Sequence, residues 1–137
     1  MDARKRTLRL VAFAIAAIVV VGGVGFGVNY AWQASRGPTQ ASKEDCELAQ
    51  QLIDRAGGMP SGADEAKALD EEIRKIRYAR FANDGISTEV GKYVSWKLVK
   101  VTGEGTVPTR EKYDEMVSNA QGHCRGERDL VIPGYAF

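Results

Sequence analysis

Residues 86–101 read Ile86-Ser87-Thr88-Glu89-Val90-Gly91-Lys92-Tyr93-Val94-Ser95-Trp96-Lys97-Leu98-Val99-Lys100-Val101, and their conformation decides between an all-α and an α+β domain. On a helical wheel Ile86, Val90, Tyr93, Val94, Leu98 and Val101 form one apolar stripe about 140° wide, with Ser87 as a candidate cap and Gly103 as terminator. Read as a strand, 92–101 puts Val94, Trp96 and Leu98 on one face between Lys92 and Lys100. The flanking segments favour the helix, because they are helical themselves and none offers a partner strand.

Upstream, Ser42 precedes Glu44, Asp45 and Glu47, a cap and acidic first turn that suit a helix N-terminus. Cys46, Ala49, Leu52, Ile53 and Ala56 follow at helical spacing, and Gly57-Gly58 with Pro60 ends the run. A second start over Ser61–Asp64 leads into Ala66, Leu69, Ile73 and Ile76, with Gly85 as its expected stop. Asp70 with Arg74 and Glu71 with Lys75 are acid-first pairs at four-residue spacing, each worth roughly 0.2–0.5 kcal/mol when exposed. Arg74, Lys75, Arg77 and Arg80 read as a solvated face, with partner binding as the competing reading.

Downstream, Pro108 suits a first helical turn, and Tyr113, Met116, Val117, Ala120 and Cys124 recur with helical period. The expectation is a small four-helix domain. In an up-down-up-down arrangement the start of the first helix and the end of the fourth share one end. Cys46 and Cys124 are then neighbours and a structural disulfide is expected, closing about 79 residues and worth up to roughly 4.5 kcal/mol in the chain-entropy model. The tail, Asp129 to Phe137, is apolar. Leu130, Ile132, Tyr135 and Phe137 either pack on the bundle as an extended strap or contact a partner, and packing is expected because exposed apolar ends promote aggregation.

The other end of the chain predicts location. Arg4, Lys5, Arg6 and Arg9 precede an uncharged apolar run from Leu10 to Val28, long enough to cross a bilayer as a helix. Cations on the amino side place residues 1–8 in the cytoplasm, 9–28 in the membrane, 29–43 at the interface and in a linker, and 44–137 outside. Tyr30 and Trp32 suit the headgroup layer as interface anchors. Ala12, Ala16, Gly23 and Gly27 form a small-residue stripe suited to helix packing in the membrane, with itself or another helix. A cleaved signal peptide would have a shorter apolar core and small residues at the cut, which Asn29 and Trp32 are not.

Of 19 cationic and 18 acidic side chains, four and one precede Leu10, which leaves 15 against 17 and a net charge of about −2 beyond it. Such a domain has no basic excess with which to bind nucleic acid. His123 is the single histidine, and no metal-ligand spacing, phosphate loop or nucleophile elbow is present, so neither a cofactor nor a metal is expected. The expected product is a cell-membrane, single-pass protein whose extracytoplasmic domain serves as a binding or accessory module of an envelope complex. Its expected partners are membrane lipid and another envelope protein or itself. The alternatives are a membrane-tethered envelope hydrolase using paired carboxylates and a secreted protein released by signal cleavage.

Overall fold

A computed structural model describes residues 39–137, which form four α-helices and no strand. They are α1 (Lys43–Gly57), α2 (Ala63–Arg80), α3 (Asp84–Thr102) and α4 (Arg110–His123). The expected membrane span, the stripe Ala12, Ala16, Gly23 and Gly27, and the anchors Tyr30 and Trp32 lie outside the described residues. Within them no helix is long and apolar enough to cross a membrane.

Residues 86–101 are helical throughout, so the strand alternative for 92–101 is excluded. Helix α3 packs against each of the other three helices, whereas α1 and α2 touch lightly and α1 and α4 share no helix-to-helix packing. Its Ile86, Val90, Tyr93 and Val94 are buried in one core with Leu52, Ile53, Ile73, Tyr113 and Met116. The expected stripe is therefore the core face for its first three turns. Leu98 and Val101, farther along, are half-buried.

Three boundaries differ from the sequence expectation. Helix α2 ends at Arg80, with no side-chain cap at Gly62, and Gly85 lies inside the first turn of α3. The cap of α3 is Asn83, whose Oδ1 accepts from the Ile86 amide at 3.1 Å, and Ser87 is buried within the helix. The reason is tertiary. The buried Asp45 carboxylate accepts from the amides of Ala82 (3.3 Å) and Asn83 (2.8 Å), pinning a tight α2–α3 turn against the start of α1. Thr109 caps α4 through the Lys112 amide, which leaves Pro108 just ahead of the helix. Gly103 terminates α3 as expected, in a left-handed conformation (φ 70°) that glycine adopts without steric cost.

The cysteines meet as expected. Cys46 and Cys124 are fully buried with their Cα atoms 5.7 Å apart and their sulfurs at disulfide distance. The same end of the domain binds the incoming chain. Ala41 N–H donates to the His123 carbonyl (2.8 Å) and Gln40 Nε2 to that of Gly122 (2.9 Å), satisfying carbonyls left free at the end of α4. His123 Nδ1 donates to the Thr39 carbonyl at 2.7 Å, since a carbonyl can only accept. Packing thus reaches back to Thr39, into the stretch read as linker.

The C-terminal segment packs as a strap between α1 and α4, where a square bundle would have direct helix contact. Gln50 holds it with a two-point amide pairing, accepting from Val131 N–H at 2.8 Å and donating to its carbonyl at 2.9 Å. Leu130 is buried, and Ile132, Tyr135 and Phe137 pack against the core, leaving Val131 facing outward.

One close approach joins α2 to α3. Arg77 Nε donates to the Ser87 carbonyl at 2.8 Å, and a Cβ at Gly91 would sit 2.3 Å from the guanidinium carbon. Gly91→Ala gains roughly 1 kcal/mol of helix propensity but displaces a hydrogen bond from a charged donor worth roughly 1.5–3 kcal/mol. The expected outcome by denaturant unfolding is net destabilisation by about 1 kcal/mol in the native background. In an Arg77→Ala background the sign reverses, and the same substitution stabilises by about 1 kcal/mol.

Candidate functional site

Two surfaces on α2 and α3 carry chemistry that the fold does not consume. The first is the outer face of α2, where Lys67, Asp70, Glu71, Arg74, Lys75 and Tyr78, with Leu98 of α3, border a shallow groove of about 430 Å³. Tyr78 is 78% exposed, far more than any other aromatic side chain among the described residues. Arg77 stacks against it at 5.7 Å from the ring centroid. The carboxylates in the groove are committed: Asp70 to Arg74 at 2.6 Å, Glu71 to Lys75 at 2.9 Å. Lys75 accordingly holds the Glu71 carboxyl below its usual range. Of the four cations read as one face, Arg77 is a strut between helices, Arg74 and Lys75 are ion-paired, and Arg80 makes no ion pair among the described residues. The face is aromatic and of mixed charge rather than basic.

The second surface lies at the far end of α3. Gly57, Met59, Ser61, Lys97, Lys100 and Val101 line an open cavity of about 390 Å³. Fifteen residues of α3 separate Lys100 from Gly85, which abuts His123, so the cavity lies about 22 Å along the helix from the cysteine end. Burial, with the positive charge of Lys100 added to it, lowers the pKa of Lys97. Lys100 itself is fixed, donating to the Ala136 carbonyl and lying 5.7 Å from the Phe137 ring centroid.

Beneath these surfaces Tyr113 organises an aromatic cluster, with ring centroids 6.5 Å from Tyr93, 6.2 Å from Trp96, 5.8 Å from Tyr135 and 5.6 Å from Phe137. Its hydroxyl donates to the Pro133 carbonyl, and that of Tyr135 donates to Pro108 at 3.0 Å. Tyr93 differs. Its buried hydroxyl has no hydrogen-bond partner among the described residues and lies 3.6 Å from where a Cβ on Gly57 would stand, under the cavity floor.

Leu130, Ile132, Tyr135 and Phe137, for which packing is the expectation and partner contact the alternative, pack on the domain. Tyr78 and the Lys97–Lys100 pair were missed. Tyr78 is an isolated aromatic residue on the polar side of a mixed-charge helix, a signal the sequence does carry. The lysines have no such signal, because their cavity is closed by Met59 and Ser61 from a distant loop. No group of three His, Cys, Asp or Glu side chains able to hold a metal ion occurs among the described residues. No protein-family model, curated protein or solved structure matches the chain.

The buried phenols make stability depend on alkaline pH. Burial pushes Tyr93 up to about 12, and Tyr113 is raised in the same sense. The unfolded chain ionises near pH 10 while the folded form stays protonated. Stability is therefore full below about pH 10 and falls as pH rises toward 12, by at most about 1.4 kcal/mol per pH unit for each phenol. Tyr93→Phe removes one such contribution along with an unsatisfied hydroxyl. Urea unfolding at pH 7 and pH 11 should find it more stable than the native chain by about 1 kcal/mol at neutrality and by more at pH 11.

Proposed function

We propose that this protein is a single-pass, membrane-anchored accessory module of a cell-envelope complex, with its helical domain outside the cytoplasm and the outer face of α2 presented to a protein partner. The observation that carries this reading is the buried pair Cys46–Cys124 at disulfide distance, because structural disulfides persist in oxidising compartments. The uncharged run Leu10–Val28 behind four cations supplies the anchor.

The choice of face follows from what the fold leaves exposed. The apolar tail is spent on the core, whereas Tyr78 stands out with Arg77 against its ring. Tyr and Arg dominate binding energy at interfaces, since each brings a large rigid surface with a polar end. Asp70 and Glu71, already paired, would form the polar rim that excludes water around such an anchor.

In native cells the chain should sediment with membranes, resist extraction by carbonate, and be labelled on α2 lysines by an amine reagent that does not cross the membrane. A photoreactive residue replacing Tyr78 should give one discrete crosslinked species, while the same residue at Glu111 on α4 should not. Tyr78→Ala should weaken the isolated complex by about tenfold or more. Recovery of the intact chain in the soluble cytosolic fraction would overturn the reading, as would identical crosslinking patterns from both positions.

A further inference from the structure

We infer that the cavity at the far end of α3 is a binding site for a small amphiphilic anion, a phosphate or carboxylate carrying a compact apolar group, with Lys97 and Lys100 holding the charge. The site is separate from the α2 face, and the inference holds whether or not that face has a partner.

Three observations support it. Lys97 and Lys100 stand about one helical turn apart on α3 and both line one concavity of about 390 Å³ whose lining residues include no carboxylate. Neither lysine is ion-paired among the described residues, a state shared by Lys112 on α4, whereas Lys43, Lys67, Lys75 and Lys92 are paired. Two like charges that share a partly desolvated wall repel each other, and an anion between them relieves that repulsion. The depressed pKa of Lys97, caused by burial and then by Lys100, is the trace of this uncompensated arrangement.

The rest of the wall sets the ligand's shape. Met59 and Val101 supply apolar surface, and Ser61 a hydroxyl that can donate to an anionic oxygen. Lys100 is held in place by the Ala136 carbonyl and the Phe137 ring, so little side-chain freedom remains to be lost on binding. The cavity opens at the end of the domain opposite Thr39–Ala41, where the incoming chain docks.

The test uses the full-length chain in nanodiscs of zwitterionic lipid, with reductive methylation of each lysine followed by mass spectrometry and phenyl phosphate as the probe. Methylation needs the uncharged amine, so a bound anion slows it. Saturating phenyl phosphate should slow modification of Lys97 and Lys100 by about tenfold, the effect of raising an amine pKa by one unit, while Lys43 and Lys112 are unaffected. Inorganic phosphate, lacking the apolar group, should protect at least about tenfold more weakly. Lys97→Met should weaken protection of Lys100 by about tenfold, with unchanged helical circular dichroism, and Lys97→Arg should restore it. No protection at about 10 mM phenyl phosphate, or equal protection by uncharged phenol, would overturn the inference. So would protection of both lysines by phosphatidylglycerol in the disc alone, which would make the ligand a lipid headgroup.

Discussion

The cysteine-bearing end of the domain is the constraint on which the rest depends. There Cys46 and Cys124 join the first turn of α1 to the end of α4, two helices that make no other direct packing contact. Around them one buried acid and one histidine complete the junction. Asp45 holds the α2–α3 turn through two amides, and His123 holds the incoming chain at Thr39. Asn83 belongs to both sets, capping α3 with its Oδ1 and donating from Nδ2 to Thr39 Oγ1. Four chain segments are thus fixed to one another within one end of the molecule. Gly85 shows how closely, since a Cβ there would lie 2.2 Å from the His123 ring.

Closing the chain between Cys46 and Cys124 has a large effect because the domain is small. A covalent link over a loop of this length removes up to about 4.5 kcal/mol of unfolded-state entropy, a sizeable part of the 5–15 kcal/mol that separates folded from unfolded domains. At the opposite end no covalent tie exists. Order there comes from Tyr113 and the strap it anchors, with Tyr135 and Phe137 folded back onto its ring. Of the two exposed surfaces, the Lys97–Lys100 cavity lies at the far end of α3 from the braced junction, whereas Tyr78 stands in the last turn of α2, about one turn before the α2–α3 turn that Asp45 pins.

The sequence made the helices legible through period alone. Cys46, Ala49, Leu52, Ile53 and Ala56 are all buried, as their spacing requires. Residues 86–101 were ambiguous for a physical reason. As the helix that touches all the others, α3 has apolar residues on more than one face: Val90 and Val94 face the common core while Trp96 reaches Tyr113. Its stripe is blurred toward the pattern of a buried strand. Helix ends were misplaced wherever a distant group decided them. Asp45 lies 38 residues from Asn83, and no local pattern announces that its carboxylate will cap the α2–α3 turn. The Lys97–Lys100 cavity was hidden likewise, because Met59 and Ser61 meet Val101 only after folding. The cysteine pairing was legible because topology alone brings the two ends of a four-helix chain together.

The measurement closest to the central claim is the oxidation state of Cys46 and Cys124 in the protein as it occurs in intact cells. Cells are quenched with an excess of N-ethylmaleimide under denaturing conditions, and the chain is digested without reduction and mapped by mass spectrometry. The account predicts one crosslinked peptide pair joining Cys46 to Cys124 and no alkylation at either residue until a reductant is added. Complete alkylation of both residues before reduction would show free thiols, contradicting both the covalent brace and the oxidising location inferred from it.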